Sequence, residues 1–333
     1  MEKYLIASYS TFAREPVIRK LKDGMLVCLA LTGGETEPDN RNVVVKTESH
    51  DKGATWTTPN ILFSHPKRGC WATEIFTAGK KDVAVVHTYN AESWYLELQT
   101  FFSDYEADTH AWTEPKSFYG PLNGCSLRQG ILLSNGDYLF PLYWQQVNSA
   151  FDCFANKNFN SKEYPFVCGV AVSCDEGITY QRYGYITSDV TLWEPNVVEI
   201  ENGHIIMYCR SDKTRLFISE SFDYGRTWTK GYFSDIPNPN SKITVLKVND
   251  TVLLINNFCN GRNLDGWGNR TNLSIYKSHD GKNFEKVVDV CDENEIAFYP
   301  HAFADFDERI LYVAYENAKE HYLKKYTFEE LGL

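Results

Sequence analysis

Ser221-Phe222-Asp223-Tyr224-Gly225-Arg226-Thr227-Trp228 decides the architecture, because the same pattern recurs along the chain. The stretches Ser49 to Trp56 and Ser173 to Tyr180 repeat Ser-x-Asp-x-Gly-x-Thr-aromatic, and Ser278-His279-Asp280-Gly281-Lys282-Asn283-Phe284 is a weaker copy. Each reads as a turn between two strands. The carboxylate accepts hydrogen bonds from nearby backbone N–H groups, the glycine takes a left-handed conformation, and the aromatic opens the next strand with a large surface to bury. Four such turns between residues 49 and 284 mean a repeated supersecondary unit.

Working outward from the turns, a second repeated element precedes them. Glu15-Pro16 and Glu194-Pro195 each lead into an apolar strand, a turn at Gly24 or Gly203, and a second strand. The run from Leu127 turns at Gly136 in the same frame, and Tyr299-Pro300 stands where the others have Glu-Pro. Degenerate copies begin near Trp71 and near Ser241, and an eroded turn lies between Ser103 and Trp112. Turns at 49, 103, 173, 221 and 278 have the spacing of four-stranded propeller blades with loops. A sixth unit starts at Tyr299 and lacks its last strand, which the segment around Tyr4 to Tyr9 is free to supply. The expected fold is therefore all-β: a six-bladed β-propeller of four-stranded antiparallel blades, one domain over residues 1–333, closed by the N-terminal strand. The absence of helical periodicity between strands excludes a parallel α/β sheet.

Composition narrows the function classes. Hydrophobic residues make up 43% of the 333 and charged ones 23%, which suits a folded core rather than disorder. A formal net charge of −11 without a basic tract argues against a nucleic-acid partner. No apolar run reaches the ~20 residues that span a bilayer, so no membrane partner is expected. The N-terminus lacks the apolar core of a signal peptide, and nine scattered cysteines show no CxxC spacing, which together predict a cytoplasmic protein. No His, Asp, Glu or Cys cluster has metal-ligand spacing, and neither a metal nor another cofactor is expected.

Blade equivalence locates a candidate site. The first strand of each blade lines a propeller's central channel, so the positions at its start converge on one mouth. They are Arg14-Glu15, Trp71-Ala72, Leu127-Arg128, Trp193-Glu194, Ser241-Lys242 and Phe298-Tyr299. Arg210 and Arg270 flank later strands and can reach the same space. Several guanidinium groups around one pocket attract an anion, and their planar fork suits a carboxylate. His301, two residues past Tyr299, reads as a packing residue or a support for the site residues rather than a catalytic group.

With these residues in order, the chain resembles the sialidase (exo-α-neuraminidase) superfamily of Asp-box propellers. The resemblance rests on Phe12-Ala13-Arg14-Glu15-Pro16 … Asp23-Gly24, Glu194-Pro195 … Tyr208-Cys209-Arg210-Ser211, Arg270 ahead of Ser278-His279-Asp280, and Tyr299 … Tyr315-Glu316. It implies that Arg14, Arg210 and Arg270 clamp a substrate carboxylate, with Glu316 holding Arg14. It further implies that Tyr299 attacks the anomeric carbon and Glu194 is its base; blade position adds Glu15, Trp193 and Arg128 to the expected substrate-binding residues. A phenol approaches an anionic sugar more easily than a carboxylate does, and with a pKa near 10 it needs an adjacent base.

The chain departs from the family pattern in blade one. Thr32-Gly33-Gly34 stands for the usual Glu-Gly-Arg, and Arg41 is a candidate replacement for the missing arginine. Asp39 is the first choice for the general acid, with Glu37 and Glu35 behind it. Glu15 replaces an isoleucine and is either a second site acid or a partner for Arg14. The expected function is a retaining exo-glycosidase that releases a terminal sialic acid or related carboxylated sugar. The alternatives are a hydrolase or lyase acting on uronic acid linkages and a non-catalytic sugar-binding propeller.

Overall fold

The paired apolar runs become antiparallel strands, and these form six sheets set around one axis. The computed structural model describes residues 2–79, 81–118, 123–145, 166–258 and 270–333. Blade one comprises Ala13–Lys20, Leu26–Thr32, Val43–Ser49 and Asn60–Phe63, in that order from the axis outward. Blade four (Leu192–Glu201, His204–Ser211, Arg215–Ser221, Tyr232–Pro237) and blade five (Thr244–Val248, Thr251–Asn257, Leu273–Ser278, Glu285–Asp289) follow the same plan. Blade six runs Phe298–Asp305, Ile310–Glu316 and Glu320–Thr327, and Lys3–Ser8 adds its outer strand antiparallel to the last of these. The ring is thus closed by the N-terminal strand.

Blades two and three vary the plan, because one strand position in each is split. In blade two, Gly69–Ala78, Lys81–Tyr89 and Gln99–Glu106 are followed by two short pieces, Ala111–Trp112 and Lys116–Ser117. In blade three the inner position is divided into Ser126–Leu127 and Ile131–Leu132, ahead of Tyr138–Gln145, Phe166–Ser173 and Gln181–Ile186. The break falls at Arg128 and Gln129, and both side chains line a void on the axis.

Burial follows radius. Leu26–Thr32, covered by a blade on either face, is buried along nearly its whole length, whereas the outer strand Asn60–Phe63 is mostly exposed or half-buried. A strand buried on both faces reads as a continuous apolar run rather than an alternating one. Leu139, Val170, Ile205 and Met207 join blades three and four, and Val198, Ile206, Val245 and Leu254 join blades four and five.

The Ser-Asp-Gly-Thr turns sit at the outer rim and are internally satisfied. In Ser221–Trp228 the Asp223 carboxylate accepts from Ser221 Oγ (2.8 Å), Thr227 N (2.8 Å) and Thr227 Oγ1 (2.6 Å), while Ser221 Oγ accepts from Gly225 N at 2.9 Å. Gly225 has φ of 84°, and a Cβ there would lie 2.6 Å from Leu139 Cδ1 of the neighbouring blade, so any other residue is strained at this position. Thr179, Asp175 and Ser173 repeat the same bonds. Asp223→Ala is expected to destabilise the protein by about 1–3 kcal/mol, visible as a lower Tm in thermal denaturation, with ligand binding at the mouth unchanged.

Candidate active site

Three inner strands carry the same backbone device at the mouth. Arg14-Glu15-Pro16, Trp193-Glu194-Pro195 and Phe298-Tyr299-Pro300 each interrupt the strand register. The central residue of each has a left-handed backbone, with φ of 53° at Glu15, 44° at Glu194 and 54° at Tyr299. A side chain with a Cβ is strained there by about 1–3 kcal/mol, and such bulges re-aim one side chain out of the strand's alternation. The proline that follows has no N–H to lose from the broken ladder. Two carboxylates and one phenol, from blades one, four and six, are delivered in this way to one cavity.

That cavity has a volume of about 550 Å3, and its walls include Arg14, Glu15, Glu37, Glu194, Arg210 and Tyr299. The charged groups in and beneath it pair arginine with glutamate, Arg128 reaching both Glu15 and, at 4.0 Å, Glu194. Arg14 Nη1 lies 3.4 Å from Glu316 Oε2, Arg128 Nη1 lies 3.1 Å from Glu15 Oε2, and Arg210 Nη1 lies 2.8 Å from Glu194 Oε2. Glu316 Oε1 also accepts the bulge N–H of Glu15 at 3.1 Å. Glu15 therefore pairs with Arg128, which contacts it through both terminal nitrogens (3.1 and 3.2 Å), and not with Arg14. Trp71 Nε1 donates to it as well, at 2.9 Å. Burial alone would raise the Glu15 carboxyl, but Arg128 and then Lys242 hold it down to about 2. At Glu316 burial prevails over Arg14, and the carboxyl is pushed up to about 7.

Tyr299 lies where two guanidinium groups meet. Its hydroxyl oxygen accepts from Arg210 Nη1 at 3.2 Å and from Arg270 Nη2 at 3.3 Å. Asn240 braces both arginines, accepting Arg210 Nε on its side-chain oxygen at 2.6 Å and Arg270 Nη2 on its carbonyl at 3.0 Å. Burial raises the phenol, and the two arginines oppose that shift. The arrangement favours negative charge on the phenolic oxygen more than burial alone would allow. With Glu37 protonated below about pH 8, Arg14, Arg128, Arg210, Arg270 and Lys242 stand in and beneath the mouth against the carboxylates of Glu15, Glu35, Glu194 and Glu316, so the region is close to charge-balanced in a protein whose overall charge is −11.

The altered loop of blade one is held by its own side chains. Asn42 Nδ2 donates to the Thr36 carbonyl at 3.1 Å, and Asn42 Oδ1 accepts from Asp39 N at 2.9 Å and from the Tyr89 hydroxyl. The Asp39 carboxylate accepts from Glu35 N (3.2 Å), Arg41 N (2.8 Å) and the Arg41 guanidinium (2.6 Å). Arg41 and the backbone donors hold it well below the usual carboxylate range. Gly34, with φ of 75°, leaves room for this: a Cβ there would sit 2.6 Å from Asp39 Cγ. Asp39, the first choice for the acid from sequence, thus braces the loop and is not among the residues lining the cavity, and Arg41 is spent on it. Glu37, two residues earlier, lines the cavity instead, as does Glu35, whose side chain is largely exposed and lies 3.8 Å from Arg41. Burial, reinforced by Glu15 and the other nearby carboxylates, pushes Glu37 up to about 8 although Arg14 opposes it.

One wall is aromatic, and most of it escaped the blade alignment. Trp94 and Tyr95 stack at 4.9 Å between ring centroids on the short helical turn Trp94–Glu97, an insertion after the second strand of blade two. Tyr95 meets Phe166 edge-on at 5.3 Å, and Phe166 adjoins Trp193 at 6.1 Å. The signal available in the sequence was an adjacent Trp-Tyr pair inside a polar loop, Asn90-Ala-Glu-Ser-Trp94-Tyr95. Asn240 gave none beyond its place before Ser241-Lys242.

Six blades, four of them with Asp-box turns, around a mouth of arginines, carboxylates and one tyrosine define an Asp-box β-propeller. The chain belongs to the family described as BNR repeat-like domain, whose profile matches residues 24–312. Solved structures share the fold. A Hadza microbial sialidase superposes with a TM-score of 0.75 at 16% identity, covering 96% of this chain and 66% of that one. Trypanosoma rangeli sialidase in complex with sialic acid gives 0.69 at 20% identity, covering 97% of this chain and 55% of that one. A Dyadobacter fermentans protein of unknown function gives 0.73 at 17% identity, covering 98% and 97%. No curated protein sequence matches the chain. Among the described residues no helix is long and apolar enough to cross a membrane, and no cluster of three or more His, Cys, Asp or Glu stands ready for a metal.

Proposed function

We propose that the protein is a retaining exo-glycosidase that removes a terminal sialic acid or a closely related carboxylated sugar. The observation that carries this reading is the convergence of Arg210 and Arg270 on the Tyr299 oxygen, in a cavity that also holds the raised carboxyl of Glu37. The ligand carboxylate enters the mouth and takes guanidinium donors from Arg14, Arg210 and Arg270. Competition for Arg210 loosens its bond to Glu194, whose carboxylate then accepts the phenol proton. The Tyr299 oxygen bonds to the anomeric carbon as the glycosidic C–O bond breaks, and Glu37 gives its proton to the departing oxygen. In the second half Glu37, now a carboxylate, takes a proton from the incoming water, the water oxygen replaces Tyr299 on the anomeric carbon, and Glu194 returns the proton to the phenol. The stacked Trp94 and Tyr95 offer an apolar face to the sugar or its aglycone.

The reading is tested by proton NMR of a sialoside digest, which is expected to show the anomer of retained configuration as the first product. An inverted first product rules out the covalent step. Release of uronic acids but no sialic acid from matched fluorogenic substrates moves the assignment to another acidic sugar. Arg210→Lys keeps the charge but loses the planar fork, and is expected to weaken binding of free sialic acid about tenfold by titration calorimetry. Unaltered affinity removes Arg210 from the clamp.

A further inference from the structure

Further down the axis from the mouth, the inner strands border a small void of about 10 Å3, open on part of its boundary, whose lining includes Thr73, Arg128, Gln129, Asn196, Lys242 and His301. Among the described residues, two of these end in buried polar atoms without a hydrogen-bond partner, Gln129 Oε1 and His301 Nε2. Their other contacts fix what each atom is. Gln129 Nε2 donates to the Ala302 carbonyl at 2.9 Å, so the oxygen is the end left over. His301 Nδ1 accepts the Ile18 N–H at 3.3 Å, and burial keeps the imidazole neutral, so its proton sits on Nε2.

One unsatisfied atom is therefore an acceptor, the other is a donor, and the Lys242 ammonium borders the same void. An apolar occupant satisfies neither orphan, an anion meets the Gln129 oxygen, and a cation meets the His301 N–H and the Lys242 ammonium. A water accepts from His301 and Lys242 and donates to Gln129, and the void has the volume of one water.

We propose that this void is a binding site for a single water, which joins blades three, five and six on the axis and fixes Lys242 as a positioning counter-ion beneath the mouth. Lys242 Nζ stands 5.9 Å from the Tyr299 ring centroid. It is faced by Glu15 of blade one, Arg128 of blade three, Glu194 of blade four, and Glu316 and His301 of blade six. After Arg128 it is the larger of the charges that keep Glu15 ionised. The water site stands apart from the glycosidase reading, whereas the effect of Lys242 on ligand affinity rests on it.

The test uses the full chain. A crystal structure that resolves ordered solvent is expected to show one water peak within hydrogen-bond distance of Gln129 Oε1, His301 Nε2 and Lys242 Nζ. An empty void, or an ion with ion-like coordination, overturns the site. Lys242→Met then separates positioning from packing by a readout that needs no catalysis. Glu15, held near 2 in the fold against 4.5 for the free group, stabilises the protein above about pH 4.5, and this contribution is lost as pH falls towards 2. Removing Lys242 raises the Glu15 carboxyl, so the variant's fall in Tm on acidification is expected to be shallower than the wild type's, with Lys242→Arg restoring the wild-type slope. Equal slopes in all three proteins remove the positioning role. Lys242→Met is also expected to weaken sialic acid about tenfold. Wild-type protein that holds the axial water but has no affinity for sialic acid supports the site and sinks the glycosidase reading.

Discussion

Tyr299→Phe is expected to lower kcat on a fluorogenic sialoside by about four orders of magnitude while leaving the affinity for free sialic acid within about threefold. The substitution removes one oxygen and leaves the ring between Lys242 and Arg270, so the packing of Phe298 and of the inner strand of blade six persists. What it deletes is the atom on which Arg210 and Arg270 converge. In the proposed mechanism that atom forms the bond to the anomeric carbon, so no other group takes over its role. A loss of about tenfold or less would mean that Tyr299 only fills space or orients the ligand.

Glu37→Gln carries the second large effect. Its carboxyl, raised to about 8, is protonated at neutral pH and loses that proton as pH rises through about 8. Wild-type kcat/KM is therefore expected to fall on the alkaline side with a midpoint near 8. In Glu37→Gln this limb disappears, and kcat/KM drops about 10²- to 10⁴-fold on a substrate with an alkyl aglycone. The loss is smaller on an aryl aglycone, which leaves without a proton. Asp39→Asn loosens the loop but keeps the alkaline limb, so the two variants separate chemistry from loop bracing. Stability follows the same sign. A group whose folded value is raised favours the fold below its unfolded value and loses that advantage as pH climbs through its folded value. The decline of Tm between pH 5 and 8 is thus expected to be shallower in Glu37→Gln than in the wild type.

The Ser-Asp-Gly-Thr turns made the propeller legible because their side chains bond within eight residues, and local chemistry of that kind survives in a sequence. Blade register then brought Glu15, Glu194 and Tyr299 to equivalent positions, which share one bulged backbone in the structure. The loop of blade one was harder to read. Asp39, Glu35 and Glu37 are all acids within five residues, and only the three-dimensional closure of Asn42 and Asp39 on their own loop turns Asp39 away, leaves Glu35 exposed at the rim and buries Glu37 in the cavity wall. The partner of Glu15 was equally hidden, since Arg128 lies 113 residues away in another blade. Trp94 and Tyr95 sit on an insertion outside the repeat, where blade alignment has no purchase.

A covalent bond from the sugar to one side chain is the step on which the proposed mechanism turns. A 3-fluorinated sialosyl fluoride supplies a good leaving group, while the fluorine slows breakdown of the resulting adduct. Peptide mass mapping after brief exposure is expected to find the glycosyl mass on the peptide containing Tyr299 and to find none in Tyr299→Phe. Turnover of the reagent with no adduct at any time point, or an adduct on Glu194 or Glu37, would contradict the assignment of Tyr299 as the nucleophile.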